Sequence, residues 1–167
     1  MRQQRSYPIE AIVLKRTDIG EADRILTLFT PNKGKMRAVA KGIRRPISKK
    51  AGHLELLNRS QLQIALGRNL DIITPAEGRE NFLHLRSELW HMTCGFYIVE
   101  LVDRFVEDST PHLEIYALLL EALRYLDADA SALQQQRAQN VEVNNEQVGV
   151  QGHTRLLLRY LSCIYSL

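Results

Sequence analysis

Cationic side chains are concentrated in the first fifty residues of the 167-residue chain. Residues 1–50 contain thirteen Lys and Arg against four Asp and Glu, a net charge of +9, whereas residues 51–167 carry a net charge of −6. All six lysines lie in this first part. Such an asymmetry indicates that the amino-terminal part binds a polyanion, for which nucleic acid is the leading candidate.

The densest group of cations follows the pattern of a β-strand and then of a loop. Met36, Ala38 and Ala40 alternate with other residues, so in a strand they would face one side and the cations the other. After Gly42 the cations continue around Pro46. We predict that this surface binds phosphates through Lys35, Arg37, Lys41, Arg44, Arg45, Lys49 and Lys50. The alternative is a solvated face on which these charges serve only solubility.

Three other side chains have types that can bind a metal or act as nucleophiles. His84 and His91 are seven residues apart, and Cys94 follows three residues later. Three such ligands without a fourth make a poor zinc site, and a thiol within an apolar helix is expected to be buried and inert. The sequence contains no phosphate-binding glycine loop and no Ser-His-Asp signature. We therefore expect no catalytic site, no metal and no cofactor.

The cysteines and the start of the chain indicate a reducing compartment. Cys94 and Cys163 are the only cysteines, and the first residues lead into no apolar signal segment. The most apolar run, Leu89–Val106, is interrupted by charged residues, which are costly inside a bilayer. We interpret that run as a buried core helix and expect a cytoplasmic protein without a membrane span.

The first half of the chain has the pattern of short strands. Five strands are predicted, at Tyr7–Arg16, Asp23–Thr30, 35–41, 61–66 and Leu70–Thr74, the last ending at Pro75. The turn Pro31–Gly34 joins the second strand to the third. Five short strands within about seventy-five residues favour a small closed barrel, because closure removes exposed sheet edges.

The second half has helical periodicity. We predict helices at Leu89–Val106, at His112–Leu126 and, as a third, at Ala128–Asn140. Residues 140–152 are polar and aperiodic, which favours a mobile linker, and 154–167 again has a helical, apolar pattern. The predicted organisation is α+β, with a barrel domain at 1–78 and an α-helical domain at 79–167.

Several short motifs occur in an order that resembles the amino-terminal part of the bacterial RecO family of recombination mediators. They are Ile19-Gly20-Glu21, Leu28-Phe29-Thr30, Gly34-Lys35, Val39-Ala40-Lys41-Gly42, Arg44-Arg45-Pro46 and Ala76-Glu77. The resemblance implies a five-stranded OB-fold barrel followed by a helical domain. It also implies a non-enzymatic role: binding of single- and double-stranded DNA, strand annealing, and loading of RecA together with RecR and the single-stranded-DNA-binding protein.

The resemblance also sets expectations about zinc and about the helical half. Some family members bind zinc through paired Cys-x-x-Cys motifs, which this chain lacks, and members continue further, so the helical domain is expected to be incomplete. The single-stranded-DNA-binding protein is expected to place an acidic peptide on the helical half, near one of Arg86, Arg104 and Arg124.

The small number of aromatic residues indicates how nucleic acid would be held. The first eighty residues contain only Tyr7 and Phe29 as aromatics, so stacking of many bases is excluded and affinity is expected to be mainly electrostatic. Two other functions remain open on the sequence. One is an RNA-binding OB-fold module, and the other is a protein-interaction scaffold built on the acidic, helical half.

Overall fold

Five strands precede three α-helices in the part of the chain that the computed structural model describes, residues 6–138. A short 3₁₀ helix at Ala51–His53 lies between the third and fourth strands. The other elements are β1 (Ser6–Ile19), β2 (Asp23–Thr30), β3 (Gly34–Ala40), β4 (Arg59–Ala65), β5 (Asp71–Glu80), α1 (Leu83–Ser87), α2 (Leu89–Phe105) and α3 (Leu113–Ala138). The predicted linker at 140–152 and the predicted helix at 154–167 lie outside the described residues.

The strands form a closed barrel in the order β1-β2-β3-β5-β4. The long strand β1 closes it, because its first half pairs with β4 and its second half pairs with β2, both antiparallel. The register with β2 shifts between Val13 and Lys15, so one extra residue bends β1 at the point where it changes partners. The predicted α+β fold, a five-stranded OB-type barrel followed by helices, is confirmed.

The interior of the barrel is filled by alternate apolar side chains from all five strands. On β1, Ile9, Ala11 and Val13 belong to this core, and Ile12 and Leu14 are buried outside it, as the apolar density of this strand predicted. On β3, Ala38 and Ala40 face the core and Met36 packs against it, which confirms that face of the strand. Small side chains at these positions leave room for the large ones opposite, such as Leu26, Leu28 and Ile64.

The barrel closes along a short parallel seam. Only Ala38 with Asp71 and Val39 with Ile72 are paired between β3 and β5, whereas the antiparallel neighbours share six or seven registered pairs each. The first residues of β3 therefore lie beyond the reach of β5. This part of the strand is covered by other segments, described below.

The end predicted for the fifth strand is wrong, since β5 continues through Pro75 to Glu80. The pairing of β4 with β5 shifts between Leu62 and Ile64, which face Ala76 and Ile73 respectively. Two residues of β5, Thr74 and Pro75, thus lie opposite one residue of β4. A proline is tolerated in such a bulge because no ladder hydrogen bond is required of it there.

The described residues divide into two compact units. The first contains residues 6–81 together with Val102–Leu113, and the second contains Phe82–Leu101 and residues 114–138. The domain boundary near residue 78 stays a prediction. The assignment of Val102–Leu113 to the barrel unit was not expected, and it follows from contacts made by the start of β3.

The segment after α2 lies along the free beginning of β3. Asp108 forms a parallel bridge with Lys35, and the Ser109 N–H donates to the Lys35 carbonyl oxygen at 2.8 Å. The Thr110 backbone lies directly against Gly34, which has a φ of +67° at the end of the β2–β3 turn. This segment was predicted only as a break between helices. Its backbone instead supplies partners that β5 does not provide.

In the second unit, α2 has one buried and one exposed side, so the prediction of a buried core helix is correct for one side only. Ile98 and Val99 are buried, whereas Trp90 is 61% exposed and Tyr97 is 50% exposed. Trp90 and Tyr97 are seven residues apart and therefore share one side of the helix. Cys94 lies among the buried residues, as expected.

The predicted break between two helices near residue 127 is also wrong, because α3 is continuous from Leu113 to Ala138. This stretch contains no Gly or Pro, and its acidic residues are used in contacts. Asp127 Oδ1 accepts the Leu85 N–H at 2.9 Å, and His91 Nε2 donates to Asp129 Oδ2 at 2.9 Å. Asp127 thereby satisfies one of the free N–H groups at the start of α1.

We expect Gly34→Ala to destabilise the fold strongly. A Cβ there would overlap the Thr110 carbonyl oxygen, in addition to the about 1 to 2 kcal/mol that a left-handed backbone costs other residues. Gly20→Ala is the matched control, because Gly20 has a φ of +54° but no atom within 4 Å of an added Cβ. Urea unfolding of both variants should show a clearly larger loss of unfolding free energy for Gly34→Ala. Equal losses would mean that the Thr110 segment does not lie against the turn.

Candidate nucleic-acid interface

The basic loop at residues 41–50 is held at the end of β3 by backbone contacts and one apolar anchor. Gly42 has a φ of +65°, and its N–H donates to Asp23 Oδ1 at 2.7 Å. The Arg44 N–H donates to the Ala22 carbonyl oxygen at 3.0 Å, and between them Ile43 is buried in the barrel core. The loop is therefore fixed to the β1–β2 turn, and its side chains project from a defined backbone.

Four of the seven predicted cations are exposed and have no partner among the described residues. Arg37 lies on the outer face of β3, Lys41 follows the strand, and Arg45 and Lys49 lie in the loop. The side chains of these residues form no hydrogen bond or ion pair with residues 6–138. Their charges are thus available to a bound anion without the loss of an internal contact.

Arg44 is exposed but partly neutralised. Its Nε lies 3.5 Å from Asp18 Oδ2, and an N–H of its guanidinium donates to the Gly20 carbonyl oxygen at 3.4 Å. Arg24 binds the other oxygen of the same carboxylate at 2.6 Å, and this hydrogen bond is the main cause that lowers the pKa of Asp18. Because the pair is exposed, its attraction is weak, and Arg44 can exchange Asp18 for a phosphate at little cost.

Lys35 has a different environment from the one predicted, since its side chain is buried rather than exposed. Its ammonium donates to the Asp103 carbonyl oxygen at 2.6 Å and lies 3.2 Å from Asp108 Oδ1. Strand alternation predicted an outward cation, but the Val102–Leu113 segment covers this position. Lys35 therefore stabilises the barrel unit internally, and we do not retain it in the interface.

Lys50 is also engaged within the barrel unit. Its ammonium donates to the carbonyl oxygens of Lys41 at 3.2 Å and Ile73 at 3.3 Å. Partial burial lowers its pKa, opposed by the attraction of the Asp23 carboxylate. Lys50 thus connects the end of β3 to β5 across the seam, and its charge is less available to a ligand than that of Lys49.

The contacts of Lys35 and Lys50 could not be found from the sequence. The partners of Lys35 are 68 and 73 residues away in the chain, and those of Lys50 are backbone carbonyls. No local sequence motif predicts such contacts. The sequence pattern located the cationic surface but not the two members of it that have an internal role.

The residues considered for metal or nucleophilic chemistry do not converge. His84 bonds to Gln134 and His91 bonds to Asp129, while burial raises the pKa of the Cys94 thiol. Within residues 6–138, no group of three or more His, Cys, Asp or Glu side chains is close enough to hold a metal ion. Over the same residues, no helix is long and apolar enough to cross a membrane.

Comparison with known proteins assigns the two parts of the chain to a single family. The model described as Recombination protein O N terminal matches residues 1–82, and the model described as Recombination protein O C terminal matches residues 86–144. The first match contains the barrel strands and the second contains α2 and α3.

Relatives named DNA repair protein RecO match about three quarters of the chain. The protein from Roseiflexus sp. (strain RS-1) is 42% identical over 129 residues, which cover 77% of this chain and 45% of the relative. The protein from Dehalococcoides mccartyi (strain ATCC BAA-2266 / KCTC 15142 / 195) is 36% identical over 132 residues, or 79% of this chain and 52% of the relative. The chain spans about half the length of the curated relatives it matches. With two matching family models and these relatives, the chain belongs to the RecO family of DNA repair proteins.

Proposed function

We propose that this chain binds single- and double-stranded DNA without sequence specificity, through phosphate contacts from the barrel. In this role it promotes annealing of complementary strands and helps to load RecA onto DNA coated by single-stranded-DNA-binding protein. Five side chains form the proposed contact surface: Arg37, Lys41, Arg44, Arg45 and Lys49.

The observation that carries this proposal is the set of exposed cations, at the end of β3 and in the adjoining loop, that have no partner among residues 6–138. Lysine and arginine side chains that contact phosphates release condensed counterions, which supplies affinity that does not depend on base sequence. A cation that is already neutralised inside the protein must give up its internal partner to contact a phosphate, so its release of counterions adds little affinity. Arg37, Lys41, Arg45 and Lys49 meet this condition, Arg44 meets it after exchanging Asp18, and Lys35 does not.

Phosphate contacts of this kind fit annealing better than sequence recognition. A surface that holds the backbone leaves most base edges free to pair with a second strand. The side chains in this surface are cations with no row of aromatic rings among them, so bases are not held in a continuous stack. The role needs no covalent step, and we propose that the chain is not an enzyme and uses no cofactor.

The exposed side of α2 supports protein partners for the second unit. Trp90 and Tyr97 present aromatic surface to solvent on one side of the helix, and exposed aromatic patches are typical of protein-binding sites. We propose that single-stranded-DNA-binding protein contacts this side and that RecR is a second partner. Because bacterial chromosomal DNA lies in the cytoplasm, we propose that the chain acts there.

The salt dependence of DNA binding tests the proposed surface. If five phosphates are contacted, the logarithm of affinity for single strands should fall against log salt with a slope of about −3.5, from about −0.7 per phosphate. Arg45→Ala combined with Lys49→Ala should reduce the slope magnitude by about 1.4 and weaken binding nearly equally for all sequences. Fluorescence anisotropy across a salt series measures both quantities.

The matched control removes two charges from α3, through Arg124→Ala combined with Arg137→Ala. Both side chains are exposed, and Arg137 is already bound by Glu88 at 2.9 Å. This variant should keep the slope of the parent. Loss of slope in the control but not in the loop variant would refute the surface. A strong preference for RNA over DNA of equal length would favour the RNA-binding function instead.

A second experiment tests the proposed partner surface. Trp90→Ala combined with Tyr97→Ala should weaken binding of purified single-stranded-DNA-binding protein about tenfold or more, because aromatic residues dominate such contacts. The DNA salt slope should be unchanged. Isothermal titration calorimetry measures the first quantity. If binding to the partner is unaffected by this change but lost in the loop variant, the partner site lies on the barrel.

A further inference from the structure

A cleft of about 600 Å³ opens in the barrel unit beside the uncovered part of the β3–β5 seam. Its walls come from the start of β1, the β2–β3 turn, the start of β3, the β4–β5 connection and the segment after α2. The cleft lies beside the part of β3 between Lys35, which forms the bridge with Asp108, and Ala38, the first residue of β3 that pairs with β5. Of the five cations in the proposed DNA surface, only Arg37 lines the cleft, so the phosphate contacts leave the cleft without a role.

One wall of the cleft is the ring of Tyr7, which is covered by the side chain of Lys33. The Tyr7 hydroxyl donates to Asp71 Oδ2 at 3.0 Å, which fixes the ring. Burial and this hydrogen bond raise the pKa of Tyr7 to about 12, so the phenol stays neutral at physiological pH. The ammonium of Lys33, an exposed residue of the β2–β3 turn, lies 3.6 Å from the ring centroid.

The remaining walls combine apolar surface with amide groups. Met36, Leu70 and Pro111 supply carbon surface, and Asn32 and Asn69 supply amides that both donate and accept hydrogen bonds. A nucleobase has flat apolar faces and an edge of donors and acceptors, so its chemistry matches this lining. The carboxylates of Asp71 and Asp108 also line the cleft, where the Tyr7 hydroxyl donates to the first and the Lys35 ammonium lies 3.2 Å from the second.

We propose that the cleft holds one unstacked base of a bound single strand, with the base lying on the Tyr7 ring. The base takes the place of the Lys33 ammonium, which moves to the adjoining phosphate. A stacked base gains more than an exposed ammonium over the same ring, so the exchange is favourable. One base held in this way leaves its neighbours free to pair. This inference rests on the proposed DNA-binding function and adds to it a base-binding subsite.

Oligomers with equal charge and different base content separate the subsite from the phosphate contacts. The probes are an oligo-dT and an abasic oligomer of the same number of phosphates. The full chain should bind oligo-dT about 5- to 150-fold more tightly, the range expected for one stacked base. Tyr7→Leu should abolish this preference while keeping the salt slope, because no phosphate contact is lost.

Lys33→Met is the matched variant at an exposed position, which leaves the fold intact. It should keep the preference for oligo-dT but reduce the slope magnitude by about 0.7, because Lys33 makes a sixth phosphate contact beyond the five of the proposed surface and brings the parent's slope to about −4.2. If Lys33→Met instead abolishes the preference and keeps the slope, the exchange of base for ammonium is wrong.

Photocrosslinking of the unmodified protein places the base without relying on variants. Oligo-dT carrying 5-iodouracil at one position couples on irradiation to an aromatic ring in contact with it, and peptide mass spectrometry identifies that ring. We expect the adduct at Tyr7. An adduct only elsewhere, or equal affinity for oligo-dT and the abasic oligomer, overturns the subsite and leaves the DNA-binding function standing. Failure of both oligomers to bind at low salt overturns the function and the subsite together.

Discussion

The barrel closes through only two parallel pairs between β3 and β5, and this short seam determines much of the remaining structure. Because this parallel pairing is so short, the polar groups on either side of it need hydrogen-bond partners from other parts of the chain. Lys35 does this at the beginning of β3, where it binds the end of α2 through Asp103 and the segment after α2 through Asp108. Lys50 does it at the end of β3, where it binds carbonyl oxygens of Lys41 and Ile73.

The seam explains why lysines that look alike in the sequence have different roles. A lysine whose ammonium is bound to carboxylates or carbonyls inside the unit stabilises the fold, and moving it to a phosphate would leave buried acceptors without a donor. A cation beyond the seam, such as Lys41, Arg45 or Lys49, has no such cost. The proposed DNA surface therefore consists of the cations that closure of the barrel does not use, and the cleft at the same seam is the place for a base.

Local patterns in the sequence predicted the parts of the structure that local interactions determine. Strand alternation located the barrel and the core face at Ala38 and Ala40, and the order of the motifs predicted the OB-type fold. The patterns failed where a distant contact overrides local preference. Pro75 continues a strand because it lies in a bulge, Asp127 lies within one long helix because it caps another, and Lys35 is buried because the segment after α2 covers it.

Titration of the protein with an oligo-dT, followed by NMR of the arginine Nε–H groups, shows which cations contact DNA. We expect the signals of Arg37, Arg44 and Arg45 to shift on binding, since their guanidinium groups take up phosphate contacts. The signals of Arg124 and Arg137 in α3 should stay in place. Shifts confined to Arg124 and Arg137 would show the opposite, that DNA binds the helical part and not the cations beyond the barrel seam.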